Sequence, residues 1–199
     1  MAVRSTMAAL ISRVRLLIND PSGGSQTFAD QDIQDVLDES RTDIKNMPMT
    51  AQPTYVGGSI QYLDYYTDLG GWEDDFVMKQ FLTVTVTPAT SEPIAGHWTF
   101  ATTTLPSVYI SGKTYDVYRA AADLLERWAA KWVLAYAFTS DGQSFQRQQA
   151  AIALQGLATT YRKKQRATSI GFSRGDLNAG VGNAPNLGAT AIDYMGSGQ

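Results

Sequence analysis

The sequence predicts a mainly α fold: a core of four helices, a β-rich insertion between helices two and three, and an extended C-terminal tail. Three observations predict it. Apolar residues recur at helical spacing in four stretches, and residues 50–115 switch to alternation rich in Thr, Val, Tyr and Trp. Residues 168–199 are dominated by Gly, Ala and Asn, which neither a helix nor a sheet selects. With 199 residues, 44% hydrophobic and 11% aromatic, the chain suits one domain with an elaboration and can bury a real core.

Residues 1–49 supply helices one and two. Met7, Leu10, Ile11, Val14, Leu17 and Ile18 form one apolar stripe, which places helix one near 5–19. "NDPSGG" stops it, because Pro21 disfavours helix at Asp20 and the glycines open a turn. Helix two starts at "TFADQDIQDVL". Phe28 and Ile33 stand at the spacing of a hydrophobic staple, and Asp30 and Asp32 suit the positive helix end. Its expected core face is Ile33, Val36, Leu37 and Ile44, with the end near Asn46.

Residues 50–115 form the β-rich insertion, with strands expected near 54–57, 60–66, 80–87, 97–102 and 107–111. Residues 116–167 return to helix. Thr114 or Asp116 can cap helix three, whose buried face is Val117, Ala121, Leu124, Leu125, Trp128, Trp132 and Tyr136. Asp123 and Arg127 stand at i, i+4 on its charged face. Helix four is expected over roughly 143–166, with Phe145, Ala150, Ile152, Leu154, Leu157 and Tyr161 pointing inward. It ends in "YRKKQR", cations where a helix C-terminus prefers them. No internal repeat is visible.

The absence of cysteine removes disulfides, thiolate nucleophiles and Cys-based metal sites. Arg4, Arg13 and Arg15 interrupt the first apolar stretch, so it does not read as a signal peptide. "WAAKWVLAYAF" is too short to span a bilayer and carries Lys131, so a soluble chain that folds inside the cell is expected, with no membrane partner. A net charge of −3 hides an asymmetry. Residues 20–50 hold seven acids and two bases, whereas 116–167 hold eight bases and four acids. Such a molecule suits head-to-tail stacking on copies of itself or on a partner.

Catalytic and cofactor chemistry finds no foothold, so no enzyme and no cofactor are expected. The lone His97 sits inside a strand and reads as structural. Glu73, Asp74 and Asp75, after "LGGW", lack the alternating oxygen ligands of a calcium loop. "GVGNAP" places Pro185 where a dinucleotide loop needs its third glycine. Arg162, Lys163, Lys164 and Arg166 form the densest basic patch, read as a helix end in preference to a phosphate contact. Tyr55, Tyr62, Tyr65 and Tyr66 with Trp72 read as packing or a subunit contact in preference to a sugar or base platform.

"RLLINDPSGGSQTFADQDIQDVLDESRTDI" resembles the opening of the head–tail connector adaptor proteins of long-tailed bacteriophages. Those begin with a short amphipathic helix, a D-P turn and an F-[ST]-D-x-[DE]-[LI] start to the second helix. Phe28, Asp30, Asp32 and Ile33 match, and Ala29 stands in place of the capping Ser or Thr. "YDVYRAAADLLERWAAKW" and "SDGQSFQRQQAAIALQGLATTYRKKQR" resemble the family's last two helices. The likeness covers residues 5–46 and 112–170.

The resemblance implies a structural virion protein without catalytic residues, assembled in the host cytoplasm and located at the virion neck. It implies a homo-oligomeric, dodecameric ring docked under the portal protein, which extends the channel for genomic DNA without reading its sequence. The ring would present a surface to a downstream stopper or tail protein. Beside the resemblance, Leu177, Val181, Leu187, Ile192, Tyr194 and Met195 read as anchors of a tail that binds the portal or a neighbouring subunit. Fully extended, the tail reaches about 105 Å at ~3.3 Å per residue. The alternatives are a tail-completion or neck protein of the same virion, or a nucleic-acid-binding regulator using the basic end of helix four.

Overall fold

The first helix follows from the apolar stripe, and its end follows from a left-handed residue. In the computed structural model, which describes residues 2–134, 139–140, 143–144 and 147–166, a 3-10 turn (Ser5–Met7) leads into α1 (Ala8–Ile18). Asn19 takes a left-handed conformation (φ 54°), and Pro21 follows where no helix can continue. Then come α2 (Asp30–Asp38), α3 (Val117–Leu134) and α4 (Arg147–Arg162). Between α2 and α3 lie β1 (Thr42–Pro48), β2 (Thr50–Val56), β3 (Ser59–Tyr66), β4 (Val77–Gln80), β5 (Val84–Val86), β6 (Thr90–Glu92), β7 (His97–Thr99) and β8 (Val108–Thr114). Two short strands, β9 (Thr139–Ser140) and β10 (Gln143–Ser144), pair between α3 and α4.

The fold is not mainly α. Among the described residues strands take about 29% and helices about 36%, and the strands build two four-stranded antiparallel sheets. One sheet runs β1-β8-β4-β5 and the other β2-β3-β7-β6. They share an apolar core of their own: Met78, Val108 and Ile110 from one sheet, Tyr65 and Trp98 from the other, with Trp72 between. The rings meet edge to face, Trp72 on Trp98 at 6.1 Å and Phe76 on Trp98 at 5.5 Å. Tyr65 sends its hydroxyl to the Thr104 carbonyl at 2.5 Å, and burial, then Tyr62, pushes its pKa up to about 12.

The expectation failed first at the end of α2. Ser40 and Arg41 close the helix by donating to the carbonyls of Leu37 and Asp38, and the Ser40 hydroxyl accepts from the Asp116 amide at 3.1 Å. The chain therefore turns into β1, and Ile44 packs on the β core instead of extending the helix face. A bulge between Ile44 and Met47 holds Asn46 at φ 51°, its amide donating to Ser111 Oγ. The second failure is "QFLTVTVT". Read as one strand, it is a hairpin that turns at Phe81–Thr83.

The helices form a second core. Met7, Leu10, Ile11, Val14 and Ile18 bury against Ile33, Val36 and Leu37 of α2 and against Ala121, Leu124 and Leu125 of α3. Phe28, just before α2, packs edge-on to Trp128 of α3 at 6.1 Å. With Ala29 at the cap, only the reciprocal half of a capping box is possible: Asp32 Oδ2 accepts from the Ala29 amide at 3.0 Å. Asp116 caps α3 by accepting from the Tyr118 and Arg119 amides. On α4 the inward face is Ala151, Leu154, Ala158 and Tyr161, while Ile152 and Leu157 are exposed, against expectation. Small alanines let α4 lie close on α3. Asp123 pairs with Arg162 of α4, and Arg127 with Glu39 at 3.1 Å, so neither satisfies the other.

Two networks, centred on the buried charges of Arg15 and Glu73, fasten these elements within one unit, Met1–Arg166. Arg15 is 6% exposed and donates to Asp20, to Asp30 at 2.6 Å and to the Phe28 carbonyl at 2.8 Å. Asp20 in turn accepts from the Thr27 and Phe28 amides, which closes the whole "NDPSGGSQTF" loop. Glu73 is 0% exposed. It accepts from Thr6 Oγ1 and from the Tyr115 hydroxyl, each at 2.6 Å, and pairs with Arg4 at 3.1 Å and Lys113 at 3.5 Å. Arg4 also grips Asp38 of α2 with both its terminal nitrogens.

Burial alone would raise the Glu73 pKa, but Thr6, Tyr115, Arg4 and Lys113 together outweigh it and hold the carboxyl below its ordinary value. A depressed carboxylate stabilises the fold above its unfolded pKa, and that contribution disappears as pH falls through the folded value. Glu73→Gln should therefore cost about 1–3 kcal/mol at neutral pH, because it replaces a buried charged acceptor of the Thr6, Tyr115 and Arg4 bonds, while Arg4 keeps Asp38 and Lys113 keeps Asp75. Urea midpoints across pH should show the native protein weakening below about pH 4.5 more steeply than the variant.

Candidate interaction surfaces

The β4–β5 hairpin breaks the rule that its neighbour obeys. The β2–β3 hairpin turns on Gly57 and Gly58, both with positive φ, which glycine adopts at no steric cost. The β4–β5 hairpin turns on Phe81 (φ 50°) and Leu82 (φ 62°), with the Thr83 amide donating to the Gln80 carbonyl at 3.1 Å. Each bulky residue in this region costs about 1–2 kcal/mol. The turn is held by its surroundings. The Phe81 amide donates to the carbonyl of Ser107, itself at φ 81°, and Gln80 Nε2 donates to the Leu105 carbonyl. Phe81 is 52% and Leu82 46% exposed, and Val77, Val84 and Leu105 are exposed large apolar side chains as well. An apolar knob is thus presented at a conformational cost, a pattern that marks functional positions.

A cleft lies at the other end of β8. Its apolar wall is Ala9 of α1, Val117 and Tyr118 of α3, and Pro93, Ile94 and Ala95 of the β6–β7 turn, and its open volume is about 580 Å³. Arg13 and Glu92 stand among the lining residues. The turn is seated by "LGGW": the Gly71 amide donates to the Ile94 carbonyl at 3.0 Å and the Trp72 amide to the Pro93 carbonyl at 3.1 Å. A Cβ on Gly70 would come within 2.3 Å of the Ile94 carbonyl oxygen, so this approach requires glycine.

The four cations of "YRKKQR" divide between separate tasks. Arg162 pairs with Asp123 and with Glu126 at 2.9 Å. Lys164 lies 5.8 Å from the Tyr118 ring centre, and Lys163 is exposed. Arg166 donates to the carbonyls of Gly70 and Tyr115 and to Thr114 Oγ1, while its own amide donates to Asp116 Oδ2 at 2.6 Å. Burial lowers its pKa against the opposing pull of Asp116. Leu177, Val181, Leu187, Ile192, Tyr194 and Met195 lie outside the described residues.

His97 stacks on Tyr66 at 4.4 Å and bonds Asp64, which also accepts from Thr99. Of the aromatic stretch, Tyr65 and Trp72 are core and Tyr55 is exposed, so the rings do not share a platform. Asp75 pairs with Lys113, and among the described residues no group of three His, Cys, Asp or Glu could hold a metal ion. Nor is any described helix long and apolar enough to cross a membrane. No family model, curated protein or solved structure matches this chain.

Sequence reasoning missed the knob, the cleft and the buried networks around Arg15 and Glu73. Only Arg15 left a signal: a cation on the apolar stripe of α1, followed by Asp20 and Asp30. Replacing the strained turn by Phe81→Asn with Leu82→Gly should stabilise the fold by about 1–2 kcal/mol, read as a raised thermal midpoint. An unchanged or lowered midpoint would mean that the turn carries no strain.

Proposed function

We propose that this chain is a head–tail connector adaptor, forming a ring beneath the portal of a long-tailed bacteriophage and linking the capsid to the tail. The observation that carries the reading is how the two resembling segments pack. The helices within these segments are far apart in sequence, yet α1, α2, α3 and α4 contribute to one apolar core, whereas Ile44, within the first segment, packs with the sheets, which keep a core of their own. The D-P turn and the F-A-D start of α2, which carry the resemblance, are the groups that Arg15 and Asp20 lock together.

Surfaces suited to assembly support the same reading. The strained apolar knob and the apolar cleft are two places where the folded region can meet protein. The anchors Leu177, Val181, Leu187, Ile192, Tyr194 and Met195 give residues 168–199 the means to bind the portal or a neighbouring subunit. In this role genomic DNA passes through the ring without sequence-specific contacts, and the partner below is a stopper or tail protein.

Truncation after Arg166 should abolish co-sedimentation with the portal ring and leave the helical and β signals in circular dichroism unchanged. Portal binding that survives truncation would remove the tail from this role.

A further inference from the structure

The last of the described residues is fastened beside the cleft. Arg166 donates from its guanidinium to the carbonyls of Gly70 and Tyr115 and to Thr114 Oγ1, and its amide donates to Asp116 Oδ2 at 2.6 Å. A smaller hollow of about 180 Å³ lies there, bordered by Lys164, Arg166 and the Gly70–Gly71 pair. Ile94, Val117 and Tyr118 line both this hollow and the cleft. The sequence continues from this point with "ATSIGFSRGD". Ile170 and Phe172 stand two residues apart, the spacing that puts both side chains on one face of an extended chain, and Gly171 between them carries no side chain.

We infer that Ile170 and Phe172 seat in the cleft of their own molecule, so that the segment just beyond Arg166 straps α1, α3 and the β6–β7 turn together. The position of Arg166 decides the occupant. Ile170 follows it by four residues and Phe172 by six, a reach of roughly 13–20 Å at ~3.3 Å per residue, and the cleft begins at side chains that Arg166 already neighbours. A segment on so short a tether meets its site at an effective concentration on the order of mM, which another copy or a free partner must exceed to compete. The chemistry matches as well. Two apolar side chains suit an apolar wall, and an open volume of about 580 Å³ is within the ~300–1,000 Å³ typical of sites that hold a bound group. The cleft carries one charge of each sign, Arg13 and Glu92, and the segment brings one of each, Arg174 and Asp176, within four residues of Phe172. The inference goes beyond the portal reading and does not rest on it, because it uses none of the anchors from Leu177 to Met195. A partner that uses the cleft must first displace the strap.

The native chain has no cysteine, which gives a clean test. Phe172→Cys is combined with Ala95→Cys in the full-length chain, oxidised in dilute solution without portal, and examined by intact mass and by counting free thiols. Ala95 is exposed, and so is Ala9 on the opposite wall, so Phe172→Cys with Ala9→Cys gives a second, independent pair. The expected result for both pairs is a monomer that has lost its two thiols to an internal disulfide. A control pairing Phe172→Cys with Thr54→Cys, in the β2–β3 hairpin, should form its internal bond ~10-fold less, because only a docked segment holds its thiol at the cleft. Covalent dimers in place of the internal bond would give the cleft to the segment of a second copy and overturn the inference. So would free thiols in both pairs, or a control that closes equally well. The portal reading fails separately, since these measurements contain no portal: an internal bond in a chain indifferent to portal retires only the portal role, and a portal-bound ring whose thiols stay free retires only the strap.

Discussion

The carboxylate of Glu73, closed off from solvent, must be satisfied by groups from several stretches of chain, and satisfying it fixes where those stretches meet. Thr6 comes from the turn before α1, Arg4 from the N-terminal segment, Tyr115 from the approach to α3 and Lys113 from β8. Arg4 extends the network to Asp38 of α2. A buried carboxylate with these partners penalises every arrangement in which one of them is missing, so the helical and β cores are tied at a single register. The Tyr115 hydroxyl donates into this network, and burial followed by the Glu73 contact raises its pKa. It therefore stays protonated at neutral pH and keeps donating.

From that junction the knob and the cleft follow. β8 runs from the knob end of its sheet to the junction, and α3 begins immediately afterwards, so the geometry that satisfies Glu73 also sets the cleft wall of Val117 and Tyr118. Gly70 and Gly71 precede Glu73 by three and two residues and seat the β6–β7 turn that forms the other wall. Gly71 holds φ 67° with the Tyr115 carbonyl where a Cβ would stand. The "LGGWE" stretch thus builds a cleft wall with its glycines and the junction with its acid.

The helices were largely legible in the sequence because helical periodicity reports burial directly. Met7, Leu10, Ile11, Val14 and Ile18 are buried, and so are Ala121, Leu124 and Leu125. What periodicity could not show was where tertiary bonds override it. Ile44 continues the spacing of α2, yet Ser40 commits its hydroxyl to the chain reversal and to α3, and a strand begins. Phe81 favours strands, Leu82 is no turn former, and neither has a glycine or asparagine beside it, so nothing local announces a turn that contacts to Leu105 and Ser107 hold in place. Glu73, seen in the sequence only as one of three acids that make no calcium loop, hides its role for the same reason. Its four partners are distant in sequence, and no local pattern records them.

These features together describe a module in which two joined cores present apolar side chains at the start of β8 and an apolar cleft beyond its end. The candidate site was therefore less legible than the fold: the spaced apolar residues of 168–199 stand out in sequence, whereas the knob and the cleft exist only after folding. The central claim is that the chain becomes a subunit of a ring at the portal. Native mass of the full-length protein, measured alone and with the portal ring, tests it most directly. A complex holding a closed ring of the chain on the portal is the predicted result, and a chain that keeps its monomer mass beside the portal would contradict the account.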